Sequence, residues 1–485
     1  MEGENSSNRF EKAIFIGFLA LIAWVPLPFG SKYYWSWPIF EFGVYILSIA
    51  WLLALIFNKA DLTDAFLKAR PVIFIFILWL LWVLFQVTPL PAAWIKSLSP
   101  QAAALYANVP GASPGPLTIS VDVFSTKQSL LKSLAYVLIF CLALLLVRSR
   151  RRARLFAYVL IMSGLFQAVY GSLMTLSGME YSFFVEKIYN IGHATGTFTN
   201  RNHLAGYLEM CLAVGIGIMI ASLDTGNHHY HGRLLLRKLL QLLLSPKARL
   251  RLFLVIMVIA LVLTHSRMGN SAFFTSMLVA GAIGLMLSRH ATRSTVILLV
   301  SLVVIDIFIV GTWFGIEKVA KRLEETSIVT ENRVDVYKNI HDQLQDYYWT
   351  GSGLGSFYAV FPKYRKQDVS GYYNHAHNDY LEFATEAGVV GVALLGLAVI
   401  GSFLVAVIAQ FRRRDPLMRG FSFAAIMGIC AIMIHSTVDF NLQIPANAIT
   451  FMLLLAMGWI ALGLKTKRKV VFNEEDEVVN NKSWT

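Results

Sequence analysis

Two histidines, an asparagine and an aspartate stand directly before a long apolar run in the segment GYYNHAHNDYLEFATEAGVVGVALL, residues 371–395. An imidazole titrates near neutral pH and can therefore take or give a proton during catalysis. Polar groups beside an apolar run cost free energy unless they are satisfied, so those that stand there are functional candidates. We therefore take His377 as a candidate proton-handling residue, with Asn378 and Asp379 as supporting residues.

Three other segments also carry polar residues next to apolar runs. They contribute Arg201 and His203 (GTFTNRNHLAGYL, 196–208), His265 and Arg267 (THSRMGNS, 264–271), and His435 and Asp439 (HSTVDFNLQIP, 435–445). Apolar residues at spacings of three and four predict an amphipathic helix over 331–348, which adds Arg333. Arginine has a permanent charge and a fork of donors that suits phosphate oxygens. Together the three arginines would suit an anionic lipid head, a diphosphate in particular, and the set fits transfer from a lipid-linked phosphate donor.

Each candidate also has a plainer interpretation. His377 and Asn378 could only cap the following helix, Arg267 could extend to the membrane interface, and Arg333 could lie on a solvated helix face. The run HAHND is similar to the start of a metallo-hydrolase ligand set. A further ligand is missing where Tyr380 stands, however, and no second ligand cluster of that kind follows. We therefore expect no bound metal and no cofactor.

The elements that must position these residues are membrane-spanning helices. Of the 485 residues, 56% are hydrophobic, and the mean hydropathy is +0.59. Soluble domains contain about 45–50% apolar residues. Apolar runs long enough to cross a bilayer as helices predict twelve spans, at 13–30, 40–57, 71–88, 130–147, 155–176, 203–222, 251–265, 269–288, 295–315, 383–409, 420–437 and 445–464.

The placement of the basic residues predicts the orientation. The formal net charge is +13, but Lys and Arg cluster in alternate loops. This positive-inside pattern predicts that both termini are cytoplasmic, and it needs no nucleic-acid partner. We expect residues 1–465 to form one polytopic membrane domain with outer loops near 89–129 and 316–382. Residues 466–485 are predicted to be a disordered cytoplasmic tail.

The order of these motifs resembles a known family. The run His377-Asn378, nine residues, Gly388, two residues and Gly391 resembles the signature of the bacterial O-antigen ligase and O-antigen polymerase family. Segments 196–208, 264–271, 351–362 and 435–448 also look like family segments, as does the LSP at 98–100. The resemblance implies an all-α membrane fold of the GT-C type. It also implies periplasmic transfer of a glycan from undecaprenyl diphosphate to an acceptor hydroxyl, on lipid A–core or on a lipid-linked repeat unit.

The same resemblance implies roles for single residues. His377 takes the place of the family's essential histidine, and Arg267 and Arg333 take those of arginines held to engage the diphosphate. His377 would deprotonate or orient the acceptor hydroxyl while the arginines stabilise the departing diphosphate. His375 has no position in the signature, so we expect it to tolerate substitution better than His377. The expected location is the bacterial inner membrane, with the active site facing the periplasm.

A transporter is the alternative from a different class, because twelve spans with intramembrane polar residues also fit one. Transporter sites lie near the bilayer midplane, and mid-span positions of this chain carry few ionisable residues beyond Glu209 and Asp306. Ligases, polymerases and protein-glycosylating relatives share the motifs. The sequence therefore leaves the acceptor open.

Overall fold

The computed structural model describes residues 2–108, 115–223, 246–286, 336–366 and 373–465. Almost all regular structure in these ranges is helical. The helices are α1 (Glu2–Trp24), α2 (Trp37–Ile56), α3 (Asp64–Lys68), α4 (Arg70–Gln86), α5 (Ala92–Leu98), α6 (Pro100–Ala107), α7 (Val123–Leu146), α8 (Arg150–Ser177), α9 (Arg201–Leu223), α10 (Pro246–Leu263), α11 (Arg267–Met286), α12 (336–346), α13 (Phe357–Val360), α14 (Asp379–Arg412), α15 (Pro416–His435) and α16 (Pro445–Gly463). Two short strands, β1 (Tyr181–Ser182) and β2 (Val185–Glu186), form a hairpin.

Within the described residues, eight helices are long and apolar enough to cross a membrane, namely α2, α7, α8, α9, α11, α14, α15 and α16. The chain is therefore a multi-pass helical membrane protein. The other predicted spans overlap helices, but α1, α4 and α10 are not among these eight, so the predicted count of twelve is not confirmed. The predicted span 295–315 lies outside the described residues, as do Arg333 and the tail 466–485. The predicted amphipathic helix is present at 336–346.

Two helices begin or end at residues other than the limits of their predicted spans, for local reasons. The first span was expected to reach residue 30, but α1 ends at Trp24 because Pro26 and Pro28 follow and proline cannot continue the hydrogen-bonded ladder. The helix that contains the predicted span 130–147 begins earlier, at Val123, because Asp122 caps α7 by accepting a 3.0 Å hydrogen bond from the backbone N–H of Ser125.

The centre of the bundle is formed by α9, α15 and α16. Between 78% and 94% of their membrane-length windows is buried, against 28% in α2 and 22% in α14. The backbones of α9 and α15 touch where Gly217 faces Gly420, and a Cβ atom on either glycine would meet the carbonyl of the other. Small residues allow such close approach between membrane helices. The closely packed helices α9 and α15 thus form the centre around which the other helices pack.

A break in α14 at Gly388 joins this helix to an outer turn. Gly388 has φ +66°, and the carbonyls of the three residues before it accept hydrogen bonds from outside the helix. The donors are the backbone N–H groups of Ser352 and Gly353 and the indole of Trp82, each at 2.9 Å. The glycine-rich segment 351–357 is therefore a tight turn that is bound to the broken helix.

Gly388→Ala should destabilise the protein, because φ +66° with ψ −179° is a conformation that almost only glycine adopts. A Cβ atom there would also meet the carbonyl of Trp349 and the backbone nitrogen of Gly351. The strain alone should cost about 1–3 kcal/mol. Thermal unfolding in detergent measures the effect. Gly401→Ala is the matched control in the same helix, since nothing lies within 4 Å of its Cβ position. Equal melting temperatures in the two variants would contradict the prediction.

Candidate active site

The start of α14 is held against the turn 436–444, which joins α15 to α16. The backbone N–H of Asp379 donates to the carbonyls of Ser436 at 3.0 Å and Asp439 at 3.2 Å. Its carboxylate accepts hydrogen bonds from the Ser436 hydroxyl at 2.7 Å and from the Leu442 N–H at 3.1 Å. Asp379 is only 1% exposed. It therefore holds the start of α14 against the turn 436–444.

Asn378 and His377 have different roles at this helix start. Asn378 caps α14 by accepting from the Leu381 N–H at 3.1 Å, and its amide donates to the Thr437 carbonyl at 2.8 Å. His377 directly precedes this cap. Its backbone has φ +51°, a left-handed conformation that is uncommon outside glycine. This conformation directs the ring toward the turn, where Nδ1 lies 4.0 Å from Oδ1 of Asp439.

Asp439 is a buried carboxylate between two imidazoles. Its side chain is 1% exposed, and Nε2 of His203 lies 3.7 Å from the Oδ1 atom that faces His377. Burial raises the pKa of Asp439, but His203 and then His435 and His377 outweigh this effect and hold the pKa well below its usual range. A charged carboxylate therefore lies directly behind the third-exposed ring of His377.

The ring of Phe440 packs against three histidines. It stacks on His375 with ring centroids 4.3 Å apart, and it meets His203 and His377 edge-on at 4.6 Å and 4.8 Å. Phe440 itself is buried. The sequence prediction missed this residue, because aromatic side chains are common throughout the chain and nothing local distinguishes this one. Phe440 sets the spacing of the imidazoles in the site.

His375 also has a carboxylate partner, which the sequence did not indicate. Its Nδ1 lies 2.7 Å from Oε1 of Glu382, and the second oxygen of Glu382 accepts from the Ala376 N–H at 2.8 Å. Glu382 is 2% exposed. The available signal was its spacing, since Glu382 follows the cap Asn378 by four residues and so lies one helical turn further along the same side.

A second group joins Arg201 to two histidines. Nη1 of Arg201 lies 2.7 Å from Nε2 of His193, and Nδ1 of His193 lies 3.0 Å from Nδ1 of His265. A guanidinium can only donate, so Nε2 of a neutral His193 accepts and its Nδ1–H donates to His265. His193 was not among the sequence candidates. It lies in the loop before α9, where no periodic pattern marked it.

Arg267 begins α11 at the same end of the bundle. It follows His265 by two residues, and its side chain is exposed. The first turn of α11 packs closely on α9, since a Cβ atom at Gly269 would lie 2.6 Å from Cβ of Ala205 and 3.1 Å from Oε1 of Glu209. The described arginine and histidine candidates thus all lie near the starts of α9, α11 and α14 or the end of α15.

His435 lies beneath the site. Its Nδ1 is 2.8 Å from Oε1 of Glu209, and both side chains are completely buried. The pair connects α15 to α9 in the central interface. His435 therefore supports the site through packing and charge and makes no contact with solvent.

A cavity of about 510 Å³ lies beside α14 and is lined by residues of this helix from Asp379 to Phe403. Its walls are mainly apolar side chains from α4, α7, α14, α15 and α16, such as Phe76 and Trp79. Asp379, Glu386 and Lys132 are the charged side chains that line it. A cavity with mainly apolar walls and a few charged side chains fits the hydrocarbon part of a lipid.

Comparison with known proteins adds a decisive observation. Residues 252–396 match the O-antigen ligase family. The matched segment contains Arg267, Arg333, His377 and both signature glycines, so the family resemblance predicted from the sequence is confirmed there. A search of the curated proteins returned no match.

The match implies glycosyl transfer of the O-antigen ligase or polymerase type, with a lipid-linked glycan and a lipid acceptor as substrates. It does not favour the transporter alternative. Among the side chains that the structure describes, no cluster of three or more His, Cys, Asp or Glu is arranged to hold a metal ion.

Phe440→Leu should slow glycosyl transfer about tenfold to a hundredfold, because it removes the flat ring that spaces three imidazoles and small displacements of catalytic groups have effects of this size. Leucine keeps an apolar side chain in the buried position, so the variant should still fold. The measurements are the initial transfer rate in proteoliposomes and the melting temperature. Phe124→Leu serves as control, since Phe124 is 69% exposed. Equal rates in the two variants would reduce Phe440 to a packing residue.

Proposed function

We propose that this protein transfers a glycan from undecaprenyl diphosphate to an acceptor hydroxyl at the periplasmic face of the bacterial inner membrane. It would act as an O-antigen ligase, or as a polymerase of O-antigen or exopolysaccharide. The observation that carries the proposal is the partly exposed His377 beside the buried Asp439, within a segment that matches the O-antigen ligase family. The positive-inside pattern of the loops supports cytoplasmic termini.

In this reaction His377 deprotonates or orients the acceptor hydroxyl. The acceptor oxygen attacks the anomeric carbon, and the bond from that carbon to the diphosphate oxygen breaks, with inversion at the carbon. Asp439 stabilises positive charge on the neighbouring imidazoles, because it is buried and ionised. The catalytic contribution of general base chemistry is typically about 10²–10⁴-fold.

The arginines supply charge for the diphosphate. Arg267 presents an exposed guanidinium at the start of α11, and Arg201 is oriented by its contact with His193. The family resemblance implies the same diphosphate-binding role for Arg333, which lies outside the described residues. Developing negative charge on the leaving diphosphate would be stabilised by these groups. The apolar cavity beside α14 supports a lipid-linked substrate, since it offers hydrocarbon contact next to the site.

The acceptor is distinguished by deleting the gene and separating the surface glycans on a gel. Loss of all long chains with accumulation of lipid-linked polymer would identify a ligase. A product of core plus one repeat would identify a polymerase. An unchanged glycan profile would contradict glycosyl transfer and favour transport.

Arg267→Ala should weaken binding of the lipid-linked donor about tenfold to a hundredfold, because charge-assisted hydrogen bonds are worth about 1.5–3 kcal/mol. Arg267→Lys should restore only part of the affinity, since lysine keeps the charge but lacks the fork of donors. Donor titrations in proteoliposomes measure both effects. Arg249→Ala is the control, because Arg249 is exposed near the start of α10, at the opposite end of that helix from His265. Unchanged donor affinity in Arg267→Ala would indicate that Arg267 only extends to the membrane interface and does not bind the diphosphate.

A further inference from the structure

We propose that the His375–Glu382 pair is the general base of the transfer and that His377 orients the acceptor hydroxyl. This inference rests on the proposed function and assigns its proton step to a residue outside the family signature. It replaces the expectation that His375 tolerates substitution better than His377.

The geometry of the two histidines differs in the respect that matters for proton transfer. Nδ1 of His375 lies 2.7 Å from Oε1 of Glu382, which is within hydrogen-bond length. Nδ1 of His377 lies 4.0 Å from Asp439, which is beyond it. An imidazole acts as an efficient base when a carboxylate holds its tautomer and stabilises the imidazolium that forms. His375 meets this condition in the structure.

The hydrogen-bond chemistry of Glu382 fixes which nitrogen is basic. An ionised carboxylate only accepts, so the proton of a neutral His375 resides on Nδ1 and leaves a lone pair on Nε2. Glu382 cannot turn away easily, because its second oxygen accepts from the Ala376 N–H at 2.8 Å. The face of the ring stacks on Phe440. The side chain of His375 is 28% exposed, so a substrate can reach it, whereas Glu382 is 2% exposed.

Proton transfer from the acceptor and glycosyl transfer to it form one balanced step. The acceptor O–H bond breaks and its proton moves to Nε2 of His375, which becomes an imidazolium paired with Glu382. The acceptor oxygen forms the new bond to the anomeric carbon. The bond from that carbon to the diphosphate oxygen breaks, and its electron pair remains on undecaprenyl diphosphate. The imidazolium then loses its proton to water, which resets the pair.

Several charged or titratable groups surround His375 and enter its pH dependence. Glu382 belongs to α14, where Asp379 and Glu386 interact electrostatically with it. His203 of α9 interacts electrostatically with His375, and Lys32 interacts with His203. His377 lies two residues away in the same loop, and Asp439 precedes the stacked Phe440. The base is expected to work in its neutral form, so the rate should rise with pH.

The test is Glu382→Gln in the full-length protein, reconstituted with lipid-linked donor and acceptor. The amide oxygen can still accept from the Ala376 N–H, so the loop remains supported. The amide nitrogen then donates to Nδ1 of His375, which moves the ring proton to Nε2 and removes the basic lone pair. We expect kcat to fall about 10²–10⁴-fold, with the KM for the donor unchanged and the rise of kcat with pH abolished. Glu186→Gln is the control, since Glu186 is exposed on the short hairpin.

His377→Asn is the companion variant, because asparagine can still hydrogen-bond the acceptor. It should raise the KM for the acceptor and keep the rise of rate with pH. A wild-type kcat and pH profile in Glu382→Gln would overturn the inference and leave Glu382 as a loop support. If Glu382→Gln does not fold, His375→Gln decides, and wild-type activity there would also overturn it. A wild-type protein that transfers no glycan at all would instead contradict the proposed function.

Discussion

The buried carboxylate of Asp379 is the contact on which the site depends. It binds the hydroxyl of Ser436 and the backbone of Leu442, while the N–H of the same residue binds two carbonyls of the turn 436–444. These four hydrogen bonds fix the loop before α14 against the turn that carries Asp439. Both donors bind the same carboxylate oxygen of Asp379, Oδ2, and hydrogen bonds between buried polar groups favour one arrangement of the segments that they join. Without it, the loop that carries His377 would not be held next to Asp439.

Two features of the scaffold carry this arrangement into the membrane. The glycine contact between α9 and α15 fixes the central helix pair, and the buried Glu209–His435 hydrogen bond ties the same pair closer to the site. The break at Gly388 binds the outer turn 351–357 to α14. Its freed carbonyls are satisfied by neighbouring donors, which makes an irregular backbone tolerable at membrane depth. Both signature glycines therefore have structural explanations, since Gly391 packs against Ala387 and Trp79.

Hydropathy was sufficient to predict a multi-pass helical membrane protein, because an apolar run of membrane length has few alternatives to a helix. It could not predict their ends, which depend on caps and prolines such as Asp122 and Pro26. The candidate residues were found from polarity next to apolar runs. Their pairing was not predictable, because it depends on loop conformations with positive φ at His265 and His377. His193 and Phe440 left no local signal, so only the structure brought them into the site.

Phe440 prevents proton transfer between the histidines that it separates. A benzene ring carries no N–H, O–H or lone pair that could relay a proton, so none passes through it between His203, His375 and His377. His375 is hydrogen-bonded to Glu382, whereas His203 and His377 face Asp439 at 3.7 Å and 4.0 Å. A tyrosine or an amide in this position could form a hydrogen bond to a ring nitrogen and so connect the histidines. Phe440, which has no polar side-chain atom, thus keeps proton transfer at one histidine separate from proton transfer at the others.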